Sequence, residues 1–257
     1  MKIATWNVNS IRARLPRVLE WLAAAKPDVA LLQEIKCVDE AFPTAEIGDL
    51  GYNALVRGQK TYNGVAIFSR HPIDVLARRL PGDDADEEAR YIEGFTAGVR
   101  VASVYVPQGQ EVASDRFAFK LRFLERLAAH VGELLASEEA WVVGGDLNVA
   151  PNDGDVYDAQ ALDGSVCFHP DERARLRAIL HMGVTDAVHA LHPEAGHFSY
   201  WDYRAGAWTK GHGWRIDHLL LSPQASDRLI AADVDRAPRG LEGCSDHAPV
   251  WCEIEDR

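Results

Sequence analysis

Residues 65–106 read VAIFSRHPIDVLARRLPGDDADEEARYIEGFTAGVRVASVYV. Three short runs rich in apolar and β-branched residues, Val65–Ser69, Ile73–Ala77 and Val99–Val106, follow one another here without a helical period between them. The break between the second and third holds the acidic loop Gly82-Asp83-Asp84-Ala85-Asp86-Glu87-Glu88. Consecutive strands without crossover helices pair antiparallel, and no GxGxxG opens a helix anywhere in the chain. The stretch therefore predicts an α/β fold with a mostly antiparallel arrangement and argues against a Rossmann sheet. Upstream, Ile3–Val8 and Val29–Gln33 read as strands. Downstream, so do Val142–Gly144, Ile216–Leu221 and Val250–Ile254. Helical spacing interleaves with them. Leu15, Val18, Leu19 and Leu22 share one face of a helix over Leu15–Ala25, and Phe117, Leu121, Leu124, Leu127, Val131 and Leu134 mark five turns within Ser114–Leu135. A third helix is predicted at Asp171–Met182, where Pro170 precedes an acidic first turn.

With 257 residues, 47% apolar and 26% charged, the chain can bury a large core. No linker, low-complexity stretch or repeat divides it, so one domain over residues 1–257 is expected. No apolar run approaches the ~18 residues of a membrane span, and no leader pattern precedes Ile3, which predicts a cytoplasmic protein without a membrane partner. Cys37, Cys167, Cys244 and Cys252 are scattered, without zinc spacing, and read as buried reduced thiols. The formal net charge of −12 speaks against a broad basic footprint for nucleic acid. It does not exclude one, because a metal-dependent phosphodiesterase needs carboxylates and a bound cation inverts the local field.

The polar residues that carry chemistry stand where strands end. Ile3–Trp6 delivers Asn7 and Asn9, Val29–Leu32 delivers Gln33 and Glu34, and Val104 precedes Tyr105. Val142–Val143 lead through two glycines to Asp146 and Asn148, Arg215-Ile216 to Asp217, and Asp246 and His247 stand just before the last strand. Any one of these alone is ordinarily a turn or cap residue, since Asn and Asp bond their own backbone. Together they are an oxygen-rich set suited to Mg²⁺, with Mn²⁺ as a substitute, and they lack the soft ligands of zinc.

Trp6-Asn7-Val8-Asn9-Ser10-Ile11-Arg12, Leu32-Gln33-Glu34-Ile35-Lys36, Tyr105-Val106-Pro107-Gln108-Gly109, Gly145-Asp146-Leu147-Asn148, Trp214-Arg215-Ile216-Asp217 and Ser245-Asp246-His247-Ala248-Pro249 resemble the ordered motifs of the exonuclease III family of abasic endonucleases. The resemblance runs from residue 2 to the last strand. It implies a four-layer α/β sandwich of two mostly antiparallel sheets flanked by helices, as in DNase I-like phosphodiesterases. It implies Glu34 as the main Mg²⁺ ligand, assisted by Asn7 or Asn9, with Asp146, Asn148, Asp246 and His247 close by. Asp146 would activate the attacking water, Asn148 orient it, Asp217 hold the imidazole of His247 on a phosphate oxygen, and Tyr105 stabilise charge at the leaving oxygen. The implied activity is cleavage of duplex DNA 5′ to abasic sites, leaving a 3′-hydroxyl, with 3′–5′ exonuclease and 3′-phosphatase action on blocked 3′ ends, by a monomer.

Substrate choice falls to Phe198-Ser199-Tyr200-Trp201-Asp202-Tyr203-Arg204 together with Trp214 and Ile216. Such aromatics are commonly core. The family resemblance instead implies a small pocket of Tyr200, Trp214 and Ile216 for a flipped, base-less sugar. Tyr200 departs from the Trp or Phe usual at that position. Arg12 and Gln108 are expected beside the DNA, and Arg57, Lys60 and Arg90 are further basic candidates. Two other readings compete: an RNA deadenylase, inositol-phosphate phosphatase or sphingomyelinase-like hydrolase on the same scaffold, and a DNA-binding relative without chemistry. The Trp214–Asp217 motif argues against the first, and the intact Glu34, Asp146, Asn148 and His247 against the second.

Overall fold

A computed structural model describes residues 1–256. Its strands are β1 (Lys2–Asn7), β2 (Val29–Gln33), β3 (Asn53–Arg57), β4 (Val65–Ser69), β5 (Asp74–Ala77), β6 (Tyr91–Thr96), β7 (Val99–Tyr105), β8 (Trp141–Asp146), β9 (Thr185–Asp186), β10 (Asp217–Leu221), β11 (Leu229–Val234) and β12 (Val250–Ile254). The helices that matter here are α1 (Ile11–Ala25), α2 (Thr44–Asp49), α3 (Asp115–Ala136), α4 (Ala159–Leu162), α5 (Pro170–Leu180) and α6 (Ala187–Leu191).

The strands form two six-stranded sheets, ordered β11-β12-β1-β2-β4-β3 and β5-β6-β7-β8-β10-β9. Each contains one parallel pair, β1–β2 and β7–β8, and every other pairing is antiparallel. The expected mostly antiparallel sandwich is present. Both parallel pairs are bridged by a long helix, α1 and α3 respectively, as a parallel connection requires.

Alternation along the strands sorts the side chains into three apolar layers. Ile3, Leu31, Ile67, Val101, Val142 and Leu219 fill the space between the sheets. Trp6, Val18 and Leu22 pack α1 on the outside of the first sheet, and Leu124, Leu127 and Val143 pack α3 on the outside of the second. Gly144 sits where the sheets press closest. A Cβ there would lie 2.6 Å from Leu219 and 2.7 Å from Leu31, so only glycine fits. Helix α3 begins at the Ser114 cap, whose hydroxyl accepts the Phe117 N–H at 3.1 Å. Of the expected inner stripe only Leu121 is merely half-buried, the wholly buried side chain at that turn being Lys120, and Phe123 and His130 join the buried face.

Buried polar pins lock the two sheets in register below the site. Gln33 Nε2 donates to Ser103 Oγ across the sandwich at 2.9 Å, and Ser103 Oγ donates back to the Leu32 carbonyl at 2.8 Å. All four cysteines are buried and reduced, as expected. No helix is long and apolar enough among the described residues to cross a membrane.

Candidate active site

Strand register assembles half of the site. Tyr105 lies opposite Asp146 across β7–β8, and Asp146 opposite Asp217 across β8–β10. Directly opposed residues point to the same face, so three polar side chains stand in a row at the end of the second sheet. The first sheet supplies Asn7 from the end of β1, Glu34 just past β2, and Asp246 and His247 just before β12. The turn before β12 is tied down by Ser245, whose hydroxyl donates to the Asn7 carbonyl at 2.7 Å and accepts the His247 N–H at 3.2 Å. Trp6 adds an indole hydrogen bond to the His247 carbonyl at 3.0 Å.

Asn7 joins the two halves. Its amide donates to Glu34 Oε1 at 2.8 Å and to Asp146 Oδ2 at 2.9 Å, while its oxygen accepts the Asn9 N–H at 3.0 Å. The expected ligand is therefore, in this arrangement, a bridge between two carboxylates. Glu34 leaves β2 with φ +53°, and Asn9, Lys36 and Asn148 also adopt positive φ. Such backbone costs roughly 1–3 kcal/mol per residue and persists only where surrounding structure dictates it. Here the partners are the Ser10 N–H on the Glu34 carbonyl at 2.7 Å and the Lys36 N–H on the Asn63 carbonyl at 3.0 Å.

On the other side, Asp217 Oδ2 accepts from His247 Nδ1 at 2.8 Å and from the Ser199 hydroxyl at 2.6 Å. Asp217 Oδ1 is buried without a partner. The His247 Nε2 edge then faces Asp146 Oδ2 at 3.8 Å. Burial pulls the imidazole down, but the carboxylates of Asp217 and Asp146 outweigh it and raise His247 to about 10. Burial, with Asp217 and Glu34 adding to it, lifts Asp146 to about 7 against the opposing pull of His247 and Asn7. Glu34 goes the other way. Burial raises it, yet the Lys36 ammonium and the Asn7 amide hold it below the usual carboxylate value. Tyr105, half-buried beside Glu34 and Asp146, is pushed well above an ordinary phenol by desolvation and those carboxylates and stays a neutral donor at physiological pH.

These groups open into a cleft of about 310 Å³ lined by Glu34, Tyr105, Asp146, Trp214, Asp246 and His247, among others. Tyr200, Trp214, Ile216 and Gln108 line it too, so the expected pocket residues converge. The Tyr200 ring leans on His247 with centroids 4.8 Å apart. Backbone bonds between Tyr200 and Trp214 at 2.9 Å in both directions fix the wall. Of the other aromatics in that stretch, Trp201 is wholly buried core packed on Trp208, the bland reading for its type. Arg12 is exposed on α1 and does not line the cleft. Arg90 is buried, paired with Glu88 and stacked 4.6 Å over the Tyr105 ring, so it supports the phenol rather than offering a free charge. Asn148 donates to the Val106 carbonyl at 3.0 Å, and its oxygen lies 3.7 Å from Cys167 Sγ.

Several residues escaped the sequence reading. Ser199 buttresses Asp217; its signal was its place beside the pocket aromatics. Val166 and Cys167 also line the cleft and carried no signal for it, whereas Asp202 and Arg204 line it from within the stretch expected to choose the substrate. Lys120 reaches in from α3 to donate to the Asn148 carbonyl at 2.6 Å and the Gln108 carbonyl at 3.0 Å, and it pairs with buried Glu172. A charge at an apolar helical position was the available clue.

The site can hold a hard cation. Its donors are carboxylate and amide oxygens. The Lys36 ammonium lies 2.6 Å from both Glu34 Oε2 and Asn9 Oδ1, so a positive charge already finds that pair of oxygens attractive. Asp146, Asp217 and His247 also bring ligand-type atoms within 4.8 Å of one another, but a His247 held cationic by its carboxylates has no lone pair for an ion, which leaves the carboxylates as the donors there.

Comparison with known proteins agrees with this geometry. Residues 4–247 match the sequence pattern of the Endonuclease/Exonuclease/phosphatase family. The chain is 33% identical over 267 residues to the exodeoxyribonuclease III of Haemophilus influenzae, covering 99% of this chain and 100% of that one. A 3′ phosphatase NExo from Neisseria, bound to product DNA hairpin, superposes with a TM-score of 0.95 at 38% identity and 99% coverage of both chains. An AP endonuclease from Archaeoglobus fulgidus superposes equally well, TM-score 0.95, at 37% identity and 99% coverage of both.

Proposed function

Since the chain belongs to the Endonuclease/Exonuclease/phosphatase family, we propose that it uses the cleft at the joined sheet ends to repair DNA as an abasic-site nuclease. It cuts the backbone 5′ to the abasic site, leaves a 3′-hydroxyl, and trims or dephosphorylates blocked 3′ ends of duplex DNA. The whole chain, residues 1–257, acts as one catalytic domain and as a monomer. One observation carries the reading: the hydrogen-bonded line Glu34–Asn7–Asp146 meets the pair His247–Asp217 directly beside an aromatic pocket.

Glu34 and Asn9, with Asp246 alongside, are the residues that would hold Mg²⁺ or Mn²⁺. Once held there, the ion would supply positive charge against the charge that develops on the phosphate oxygens. The protein's own groups do the rest. His247, kept cationic by Asp217, donates from Nε2 to a non-bridging phosphate oxygen. Asp146, raised toward neutrality, is matched to taking a proton from the attacking water near pH 7. Tyr105, a neutral phenol, donates to the leaving oxygen. Tyr200, Trp214 and Ile216 accept a sugar that has no base and exclude one that has, because extrusion costs least where nothing is stacked or paired.

The test is a duplex oligonucleotide carrying one synthetic abasic site, incubated with Mg²⁺ and with EDTA. A single nick 5′ to the site in Mg²⁺ alone, ending in a 3′-hydroxyl, is expected. Equal cutting in EDTA, or of the intact duplex, would overturn the reading.

A further inference from the structure

We infer that His192, Glu194 and His197 form a second metal site, for one Zn²⁺ ion, that clips the loop after α6 to strand β11. The segment reads His192-Pro193-Glu194-Ala195-Gly196-His197, and none of its residues lines the cleft. Glu194 Oε1 lies 3.5 Å from His192 Nδ1 and 3.2 Å from His197 Nε2, and the three atoms are within 4.8 Å of one another. A tetrahedral ion with bonds of ~2.0–2.1 Å spaces its ligand atoms about 3.3–3.4 Å apart, so the two separations from Glu194 match two edges of a zinc tetrahedron. Glu194 is exposed and the two imidazoles are half-buried, which leaves the fourth position to water.

The outer nitrogens make the case stronger. His192 Nε2 is 2.9 Å from the Ala232 carbonyl, which can only accept, so that nitrogen carries the proton and Nδ1 presents its lone pair to the cluster. His197 Nδ1 is 3.3 Å from Asp233 Oδ1, which fixes the opposite tautomer and turns the Nε2 lone pair inward. A second oxygen acceptor behind each imidazole is the usual support of a metal-bound histidine. The two rings stack at 4.5 Å and 21°. Without an ion, a proton on His197 Nε2 bonds the same Glu194 oxygen at 3.2 Å, so the ion binds in exchange for protons. Two imidazoles and one carboxylate favour a borderline transition ion over Mg²⁺.

The loop is also pinned by Gly196 N–H on the Gly154 carbonyl at 3.3 Å, and it runs directly into Phe198–Trp201, the wall of the substrate pocket. Occupancy therefore stiffens a segment next to the cleft without entering its chemistry.

The experiment titrates Zn²⁺ into chelator-stripped protein by calorimetry, with excess Mg²⁺ present, and repeats the titration with Co²⁺ by visible absorption. Wild type and His247→Ala should each bind one equivalent that His192→Ala and His197→Ala lose or bind at least tenfold more weakly. Asp233→Asn should weaken it about tenfold, the scale of losing a supporting acceptor. Zn²⁺ should raise the melting temperature of wild type and not that of the two histidine variants, which should fold and cut DNA in Mg²⁺ like wild type. An undiminished equivalent in His197→Ala, its loss in His247→Ala, or no tight equivalent in wild type each overturns the site.

Discussion

Replacing Lys120 by Met removes the ammonium that ties three parts of the molecule together at the back of the cleft. The side chain is wholly buried, pairs with the wholly buried Glu172, and donates to the carbonyls of Asn148 at 2.6 Å and Gln108 at 3.0 Å. Glu172 also caps α5 by accepting the His169 N–H at 3.0 Å. Removing one partner of a buried pair leaves the other charge uncompensated and costs about 3–5 kcal/mol. In a chain of this size a kcal/mol is worth roughly 2–4 °C, so the melt should fall by roughly 6–20 °C. Lys120→Met combined with Glu172→Gln should recover much of that loss, since no buried charge remains. A double-mutant cycle by chemical denaturation measures the coupling. Activity well below the melting temperature should also drop, by up to about 10²-fold, because the freed Asn148 turn loses its alignment. A Lys120→Met variant destabilised by less than 1 kcal/mol, or a double mutant no better than the single, would refute the argument.

Four further outcomes follow from the same geometry. Glu34→Gln should lower Mg²⁺ affinity and cleavage by orders of magnitude while leaving the melt in EDTA nearly unchanged; undiminished cutting at low Mg²⁺ removes Glu34 from the site. Asp146→Asn and His247→Ala should each lower kcat by ~10²–10⁴, and together by less than the product, because both act on one transition state; purely multiplicative losses in kinetics would assign them to separate steps. Trp214→Ala should weaken discrimination between abasic and intact duplex, measured by binding in Ca²⁺, more than Arg12→Ala, and equal losses on both duplexes would make Trp214 ordinary packing. Asp186 is pulled well below its ordinary value of 3.8 by Arg215 and His218 despite burial. A depressed carboxylate contributes stability that is present above pH ~4 and is lost as pH falls further, when the unfolded chain takes up the proton first; melts between pH 3 and 6 should show an acid limb that Asp186→Asn flattens.

The motifs that mark the site were legible because each sits on a strand end whose β-branched run is itself plain in sequence. Four strands were not. β3, β9 and β11 are edge strands, each paired on one side only. Half-exposed, they carry little alternation to read. β6 is interior, yet its Tyr91-Ile92-Glu93-Gly94 reads as polar, because the charge of Glu93 is met only in three dimensions, by Arg100 at 2.8 Å and His130 at 2.8 Å. Lys120 escaped for the same reason: Glu172, fifty-two residues away, makes its burial tolerable. Local patterns report what a residue does to its own segment, and buried charge pairs are decided by partners that the segment does not contain.

The placement of charge also resolves how a chain of net charge −12 can act on a polyanion. Two of the five acids in residues 82–88 are spent on the protein's own arginines. Asp86 pairs with Arg126 at 2.7 Å, and Glu88 takes both Arg90 and Arg116. The Glu88 carboxyl is held at about 2 by those two guanidinium groups, which overcome its burial. Glu88 thus neutralises the arginines around Tyr105, while Asp83, Asp84 and Glu87 stay exposed. The same pairings remove Arg90 and Arg116 from the pool available to phosphates, and Arg57 is turned inward on the Tyr91 and Glu87 carbonyls. Each phosphate neutralised by Lys or Arg adds about 0.9 to the salt slope of binding. With so few free cations, the slope measured in EDTA should be shallow. Affinity must then rise when a divalent ion offsets Glu34, Asp146 and Asp246, so binding isotherms over a salt series with and without Ca²⁺ separate the two contributions. A steep slope in EDTA, unchanged by Ca²⁺, would mean that a basic surface outside the cleft carries the DNA.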